Sequence, residues 1–250
     1  AGSILRNGFD LTVRDLDSEL ERSFAQKGAA IGENPAQVAR TVDMLITCLP
    51  SPAASASVME GENGVLSAIG PGTIWAEMST TDDQEVRRLG EQVMAAGGEP
   101  IDCPVSGGCH RAATGNISIF AGTERSTFNK ALPLLTTLGR QVLHTGPLGS
   151  ASVLKVLTNY LASVNLAALS EALMTGHRAG MDLNTAYEAI RISSGNSFVH
   201  ETESQVILNG SRDVNFTMDL VVKDLSLFQA IADRADVPLE ISPLLLNIFK

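Results

Sequence analysis

QVLHTGPLGSASVLKVLTNYLASVNLAALSEALMTGHRAG (residues 141–180) is the stretch where the chain changes character. Its first six residues read as a strand, and Gly146 and Pro147 punctuate its end. From Ser152 to Gly180 follows one helical run rich in Ala and Leu. Apolar residues fall on more than one face of that run and charges are sparse, so it is expected to lie buried among other helices. Strand signals dominate before this stretch and fade after it. The domain boundary is therefore placed at residues 146–149, giving an N-terminal domain of residues 1–147 and a C-terminal domain of residues 148–250.

Upstream, LTVRD (11–15), MLITCLP (44–50), TIWAEMS (73–79), IDCPV (101–105) and NISIFAG (116–122) read as short strands. MLITCLP is apolar without clean alternation, as in a parallel strand covered on both faces. Helical segments fall between the strands. Residues 1–7 form the end of a helix stopped by Gly8, Asp17 caps a helix through Phe24, and Pro35 sits in the first turn of another. Thr80 or Thr81 is expected to cap a helix over residues 83–96. This rhythm implies an α/β domain with a mostly parallel sheet. Downstream, residues 182–192, 198–209, 216–235 and 239–249 read as helices, punctuated by Gly195, Gly210 and Pro238.

Composition narrows the function. Hydrophobic residues make up 44% of 250, enough for a sizeable core. Eighteen Lys and Arg face 28 Asp and Glu, a net charge of -10, and no basic run occurs, so nucleic acid is not an expected partner. Three cysteines without a CxxC pair and four scattered histidines make no metal signature. No run in the sequence reads as roughly 18 uninterrupted apolar residues, and no signal peptide is visible. A cytoplasmic protein with reduced thiols and no membrane association is expected.

Four segments carry a resemblance. They are DCPVSGGCHRAATG (102–115), GSASVLKVLTN (149–159), VVKDLSLFQAIA (221–232), and CLP (48–50) taken with MST (78–80). In this order the chain resembles the β-hydroxyacid dehydrogenase family over nearly its whole length. The resemblance implies a Rossmann-like dinucleotide-binding domain followed by a helical substrate-binding and dimerisation domain. It implies a nicotinamide cofactor and a small substrate bearing a carboxylate, in a homodimer or homotetramer. One departure stands out: no GxGxxG turn occurs in the sequence, although such a turn lets the backbone approach a pyrophosphate. The resemblance implies that this turn precedes Ala1, and that the family pattern extends past Lys250.

The resemblance also assigns candidate residues. Lys155 aligns with the family's catalytic lysine; it is flanked by Val153, Leu154, Val156 and Leu157, although a lone Lys also reads as a solvated surface group. Its ammonium suits a developing alkoxide, and it can move the hydroxyl proton. Asn159, at i+4, lies on the same helix face; it would orient the amine or bind a substrate oxygen, or simply bond a neighbouring helix. A Thr at position 158, where 6-phosphogluconate dehydrogenases are expected to carry His, argues against that branch. Ser106, Gly107 and Gly108 would present a hydroxyl and backbone N–H groups to the carboxylate, or form only a turn. Asp15 ends a strand where an acid accepts from the adenosine ribose, and Leu16 follows where an NADP enzyme would carry Arg, so NAD is favoured over NADP. Leu49, Pro50 and Ser79 would line the nicotinamide. Lys223 and Asp224 would lie near it, or form a surface pair worth little. Two rivals stand beside the dehydrogenase: a non-catalytic homologue with a degenerate cofactor site, and an imine or other carbonyl reductase on the same scaffold.

Overall fold

Short strands and helices intermix from the N-terminus to Gly146, and among the described residues helices alone follow. The computed structural model describes residues 1–213 and 216–250. The chain divides into two units, Ala1–Lys155 and Val156–Lys250.

The strands of the first unit form two sheets. β1 (Thr12–Val13) pairs in parallel with β2 (Ala30–Ile31). The larger sheet holds β3 (Met44–Thr47), β4 (Ile74–Glu77), β5 (Glu99–Asp102), β6 (Val105–Ser106), β7 (Ile117–Gly122) and β8 (Gly139–Gly146). Its order is β3-β4-β5-β7-β6, with β8 also on β7. The pairs β3/β4, β4/β5 and β7/β8 are parallel, whereas β7 runs antiparallel to β5 and β6. The reversal follows from chain length: the link from Ser106 to Ile117 is shorter than the dozen or so residues a parallel crossover needs.

Helices α1 (Gly2–Arg6), α2 (Ser18–Ala25), α3 (Pro35–Thr41), α4 (Pro52–Glu60), α5 (Asp83–Ala95), α6 (Gly108–Ala113) and α7 (Arg125–Leu138) complete the connections. Local chemistry starts several of them. The Asp17 carboxylate accepts from the N–H groups of Glu19 and Leu20, and Asn34 and Ser51 do the same for α3 and α4, each followed by Pro. The expected Thr80 or Thr81 cap of α5 is corrected to Asp82, whose side chain accepts from Gln84 and Glu85 while Thr81 is buried.

Strand β4 is buried along its whole length and feeds two cores by alternation. Ile74 and Ala76 face a cluster with Ile101, Ile119 and Leu135. Trp75 faces the other, with Leu45, Met59, Leu89 and Val93. Each such side chain contributes about 1.5–3 kcal/mol by leaving water. The Trp75 indole N–H is not stranded there; it donates to Thr47 Oγ1 at 2.9 Å.

Helix α8 (Ser150–Arg178) continues without interruption across the division between the units. In the second unit it is followed by α9 (Leu183–Arg191), α10 (Phe198–Leu208), α11 (Met218–Arg234) and α12 (Ile241–Phe249). Val221, Leu225, Leu245 and Phe249 form the core there, with Tyr160 and Val164 of α8 packed on it. Tyr160 stacks on Phe228 with ring centroids 3.8 Å apart. The expected burial of α8 is only partly met, since Leu154, Leu157, Leu161 and Met174 are exposed. By length and composition alone α8 would suffice to cross a membrane, contrary to the reading of the sequence. Its opening turn is nevertheless tied by hydrogen bonds to a strand of the first unit, as in a helix of a folded domain.

Candidate active site

The carboxyl ends of the strands gather most of the candidate residues of the first unit, which is where open α/β sheets bind ligands. Asp15 lies two residues beyond β1. Its carboxylate accepts from the Asp17 N–H at 2.9 Å, and the residue is exposed. Its own N–H donates to Glu21 Oε1, which also pairs with Arg14 at 2.7 Å. Those two contacts, the backbone one first, hold the Glu21 carboxyl below its ordinary range. Arg14 is thereby engaged with Glu21.

At the ends of β3 and β4 the structure brings Leu49 and Ser79 together. The Leu49 N–H donates to Ser79 Oγ at 2.7 Å, and the Ser79 N–H donates to Glu77 Oε1 at 2.8 Å. Pro50 follows, exposed. Glu77 is fully buried, its Oε2 has no hydrogen-bond partner, and burial pushes its carboxyl above the ordinary range against the opposing bonds from Ser79. Sequence reading passed over this residue. The available signal was an acid closing an apolar strand, IWAE.

Ser106 ends β6, and Gly107 and Gly108 turn the chain into α6 with φ of 128° and 78°. Both angles lie where side chains are strained, so this turn needs its two glycines. A Cβ on Gly108 would meet nothing within 4 Å, so the space beside that backbone is open. Lys155, on the second turn of α8, is 8% exposed; the solvated-surface reading of this lysine is overturned.

Within the second unit the structure joins three more candidates. Asn159 Nδ2 donates to Asp224 Oδ2, and Asp224 Oδ1 lies 3.0 Å from Lys223 Nζ. Asp224 is buried and the Lys223 side chain is one-fifth exposed, so the pair is not a solvated surface pair. The bond between Asn159 and Asp224 spans 65 residues and had no sequence signal.

The donor set fits part of a dinucleotide. An exposed carboxylate after β1 suits a ribose diol, and Leu49, Pro50 and Ser79 offer an apolar wall with a hydroxyl. No glycine turn for a pyrophosphate occurs in the sequence.

Sequence comparison decides the family. Residues 1–146 match the family described as the NAD binding domain of 6-phosphogluconate dehydrogenase. Residues 149–250 match the NAD-binding family of NADP-dependent 3-hydroxyisobutyrate dehydrogenase. The chain belongs to the β-hydroxyacid dehydrogenase family. It is 32% identical over 249 residues to 2-(hydroxymethyl)glutarate dehydrogenase of Eubacterium barkeri, covering 99% of this chain and 83% of that one. The crystal structure of 3-hydroxyisobutyrate dehydrogenase from Salmonella typhimurium superposes with a TM-score of 0.90 at 27% identity, covering 100% of this chain and 87% of that one. An imine reductase from Myxococcus stipitatus, with a TM-score of 0.70 at 13% identity over 99% of this chain and 86% of that one, shares the fold alone. The expected family, fold class and NAD(P) cofactor are thus borne out. As a family member the chain is an NAD(P)-dependent dehydrogenase of the hydroxyacid class, and the imine reductases of the rival reading are more distant neighbours.

Proposed function

We propose that this dehydrogenase interconverts a small β-hydroxyacid and its semialdehyde, with Lys155 as the group that handles the proton. The burial of Lys155 on α8 carries this reading: a solvated lysine is a common surface group, whereas a buried one needs a reason. The nicotinamide, when bound, takes up or gives back a hydride. The Lys155 amine enters neutral and takes the hydroxyl proton as the carbon–oxygen bond gains double-bond character, and the ammonium so formed stabilises the negative charge developing on the oxygen. In the reverse direction its ammonium returns the proton to the carbonyl oxygen.

Ser106, Gly107 and Gly108 hold the substrate carboxylate in this reading, supported by the glycine φ values and the open space beside Gly108. Asp15 binds the adenosine ribose, with NAD preferred over NADP. Leu49, Pro50 and Ser79 line the nicotinamide, Asn159 is oriented by Asp224, and Lys223 supplies a second positive charge. The exposed apolar side chains of the second unit, Leu161 on α8 and Leu244 on α12 among them, support a homodimer or homotetramer. Three free thiols, Cys48, Cys103 and Cys109, support a cytoplasmic setting, which cell fractionation would check.

The test is a panel of NAD and NADP against 3-hydroxyisobutyrate and 2-(hydroxymethyl)glutarate, the substrates named for its relatives. Wild type is compared with Lys155→Ala. General acid–base catalysis contributes about 10²- to 10⁴-fold, so kcat/KM should fall by at least about 100-fold. Near-normal turnover by Lys155→Ala would remove the lysine from the mechanism.

A further inference from the structure

Asp102, the last residue of β5, is completely buried. Its Oδ1 accepts from the Gly149 N–H at 2.8 Å. Its Oδ2 accepts from the Ser152 N–H at 2.7 Å and the Ser152 hydroxyl at 2.9 Å. Gly149 directly precedes α8 and Ser152 lies in its first turn. A helix start leaves N–H groups without partners inside the helix, and a cap normally comes from the residue just before it. Here the acceptor comes from a strand 47 to 50 residues earlier, and the positive end of the helix dipole faces its charge.

Two neighbours fix the junction further. A Cβ on Gly122 would lie 2.3 Å from Asp102 Oδ1, 2.8 Å from Ser150 Oγ and 2.9 Å from the Pro147 carbonyl oxygen. Only a glycine in β7 leaves room for the carboxylate. Thr145 Oγ1 of β8 lies 2.7 Å from Ser150 Oγ in a hydrogen bond. Strands β5, β7 and β8 therefore converge on the first turn of α8. Lys155 lies three residues beyond Ser152, on the same face one turn further along. A helix transmits rotation and translation of its first turn to the next, because each residue is bonded to the one four behind.

We propose that Asp102 is a positioning residue for the reaction: by gripping the first turn of α8 it sets the rotation and axial position of the helix, and with them the place of the Lys155 amine. The proposal rests on the reading of Lys155 as the proton-handling group. Asp102 touches no reacting atom in this account, and its whole contribution passes through Lys155. A residue that merely staples the fold would lower stability without a kinetic effect tied to Lys155.

The experiment is a double-mutant cycle of Asp102→Asn and Lys155→Ala, read as single-turnover hydride transfer with NAD and 3-hydroxyisobutyrate. Asparagine keeps the shape but turns an NH₂ toward donors. In the wild-type background Asp102→Asn should slow the step about 10- to 100-fold, the range a misplacement near 1 Å produces. NAD affinity, followed by binding titration, should change less than about twofold, and KM likewise. In the Lys155→Ala background the same substitution should change the residual rate less than about twofold. An equal loss in both backgrounds, or no loss in the first, overturns the proposal. If Lys155→Ala itself leaves the rate intact, the underlying reading of the lysine fails instead, which is a separate outcome. Should Asp102→Asn not fold, Ser152→Ala removes one of the three donors and keeps the two backbone ones. It should slow the step about two- to fivefold in the wild-type background only, and an equal loss in both backgrounds again overturns the proposal.

Discussion

Gly122→Ala should damage the junction between β5 and α8 without touching a charged group. The glycine lacks the positive φ that would strain an alanine, so backbone conformation alone would make the change neutral or stabilising by about 0.4–1 kcal/mol. The space argues the other way. Ordinary contact begins near 3.4 Å, and the new Cβ would sit 2.3 Å from Asp102 Oδ1, an overlap of about 1.1 Å. Two further oxygens, on Ser150 and Pro147, stand closer than 3.0 Å, so shifting one group cannot relieve all three. The carboxylate that must give way is held on both oxygens by short hydrogen bonds, from Gly149 at 2.8 Å and from Ser152 at 2.7 and 2.9 Å, which a displacement of about 1 Å would disturb. A buried group left without its partner costs about 1–3 kcal/mol, and overpacking costs about 1–3 kcal/mol. Their sum, roughly 2–6 kcal/mol, corresponds to a fall in Tm of about 4–24 °C for a chain of this size. The single tryptophan, Trp75, lies in β4 and pairs with Pro100 of β5, so its fluorescence follows unfolding of the right region. A variant melting within about 2 °C of wild type, or above it, would refute the steric argument.

Glu77→Gln should alter the pH dependence of stability. Burial raises the folded-state pKa of this acid, so its contribution is fully present below the unfolded value near 4.3 and is lost as pH rises through the folded one. Glutamine has no such loss, so the Tm difference, variant minus wild type, should grow more positive from about pH 5 to about pH 8. Melts showing a constant or shrinking difference would contradict this. The apolar side chains on the second unit give another outcome: Leu161 is 57% exposed and Leu244 62%. Leu161→Glu or Leu244→Glu should shift sedimentation equilibrium toward monomer, and a wild type that sediments as a monomer would count against the oligomer.

What the sequence revealed follows the range of the physics involved. The Asp17 cap was legible because an Asp carboxylate reaching the next two or three N–H groups is settled within four residues. The α5 cap was harder, since Thr80, Thr81 and Asp82 are all competent and burial of Thr81 leaves Asp82 at the start of the helix. Lys155 was legible through its apolar flanks and its motif, but its burial depends on packing that no local pattern encodes. The α8 run was read as buried from its composition, yet side chains such as Leu161 stay exposed because the described chain does not surround that helix. Asp102 closes a strand pattern inside a motif, and its part in holding α8 is illegible there because the helix turn lies nearly fifty residues on. The link from Asn159 to Asp224 was hidden for the same reason.

The order of the junction along the chain has a consequence for synthesis. Asp102 leaves the ribosome before the residues it will hold, and at about 5–20 residues per second the wait lasts a few seconds. During that interval the carboxylate can stay hydrated, which costs nothing until it is buried. When Gly149 and Ser152 emerge, their acceptor is already in place, so α8 can acquire its cap as soon as its first turn is made. The opposite order would leave a long apolar helix waiting without a cap for an acceptor not yet translated.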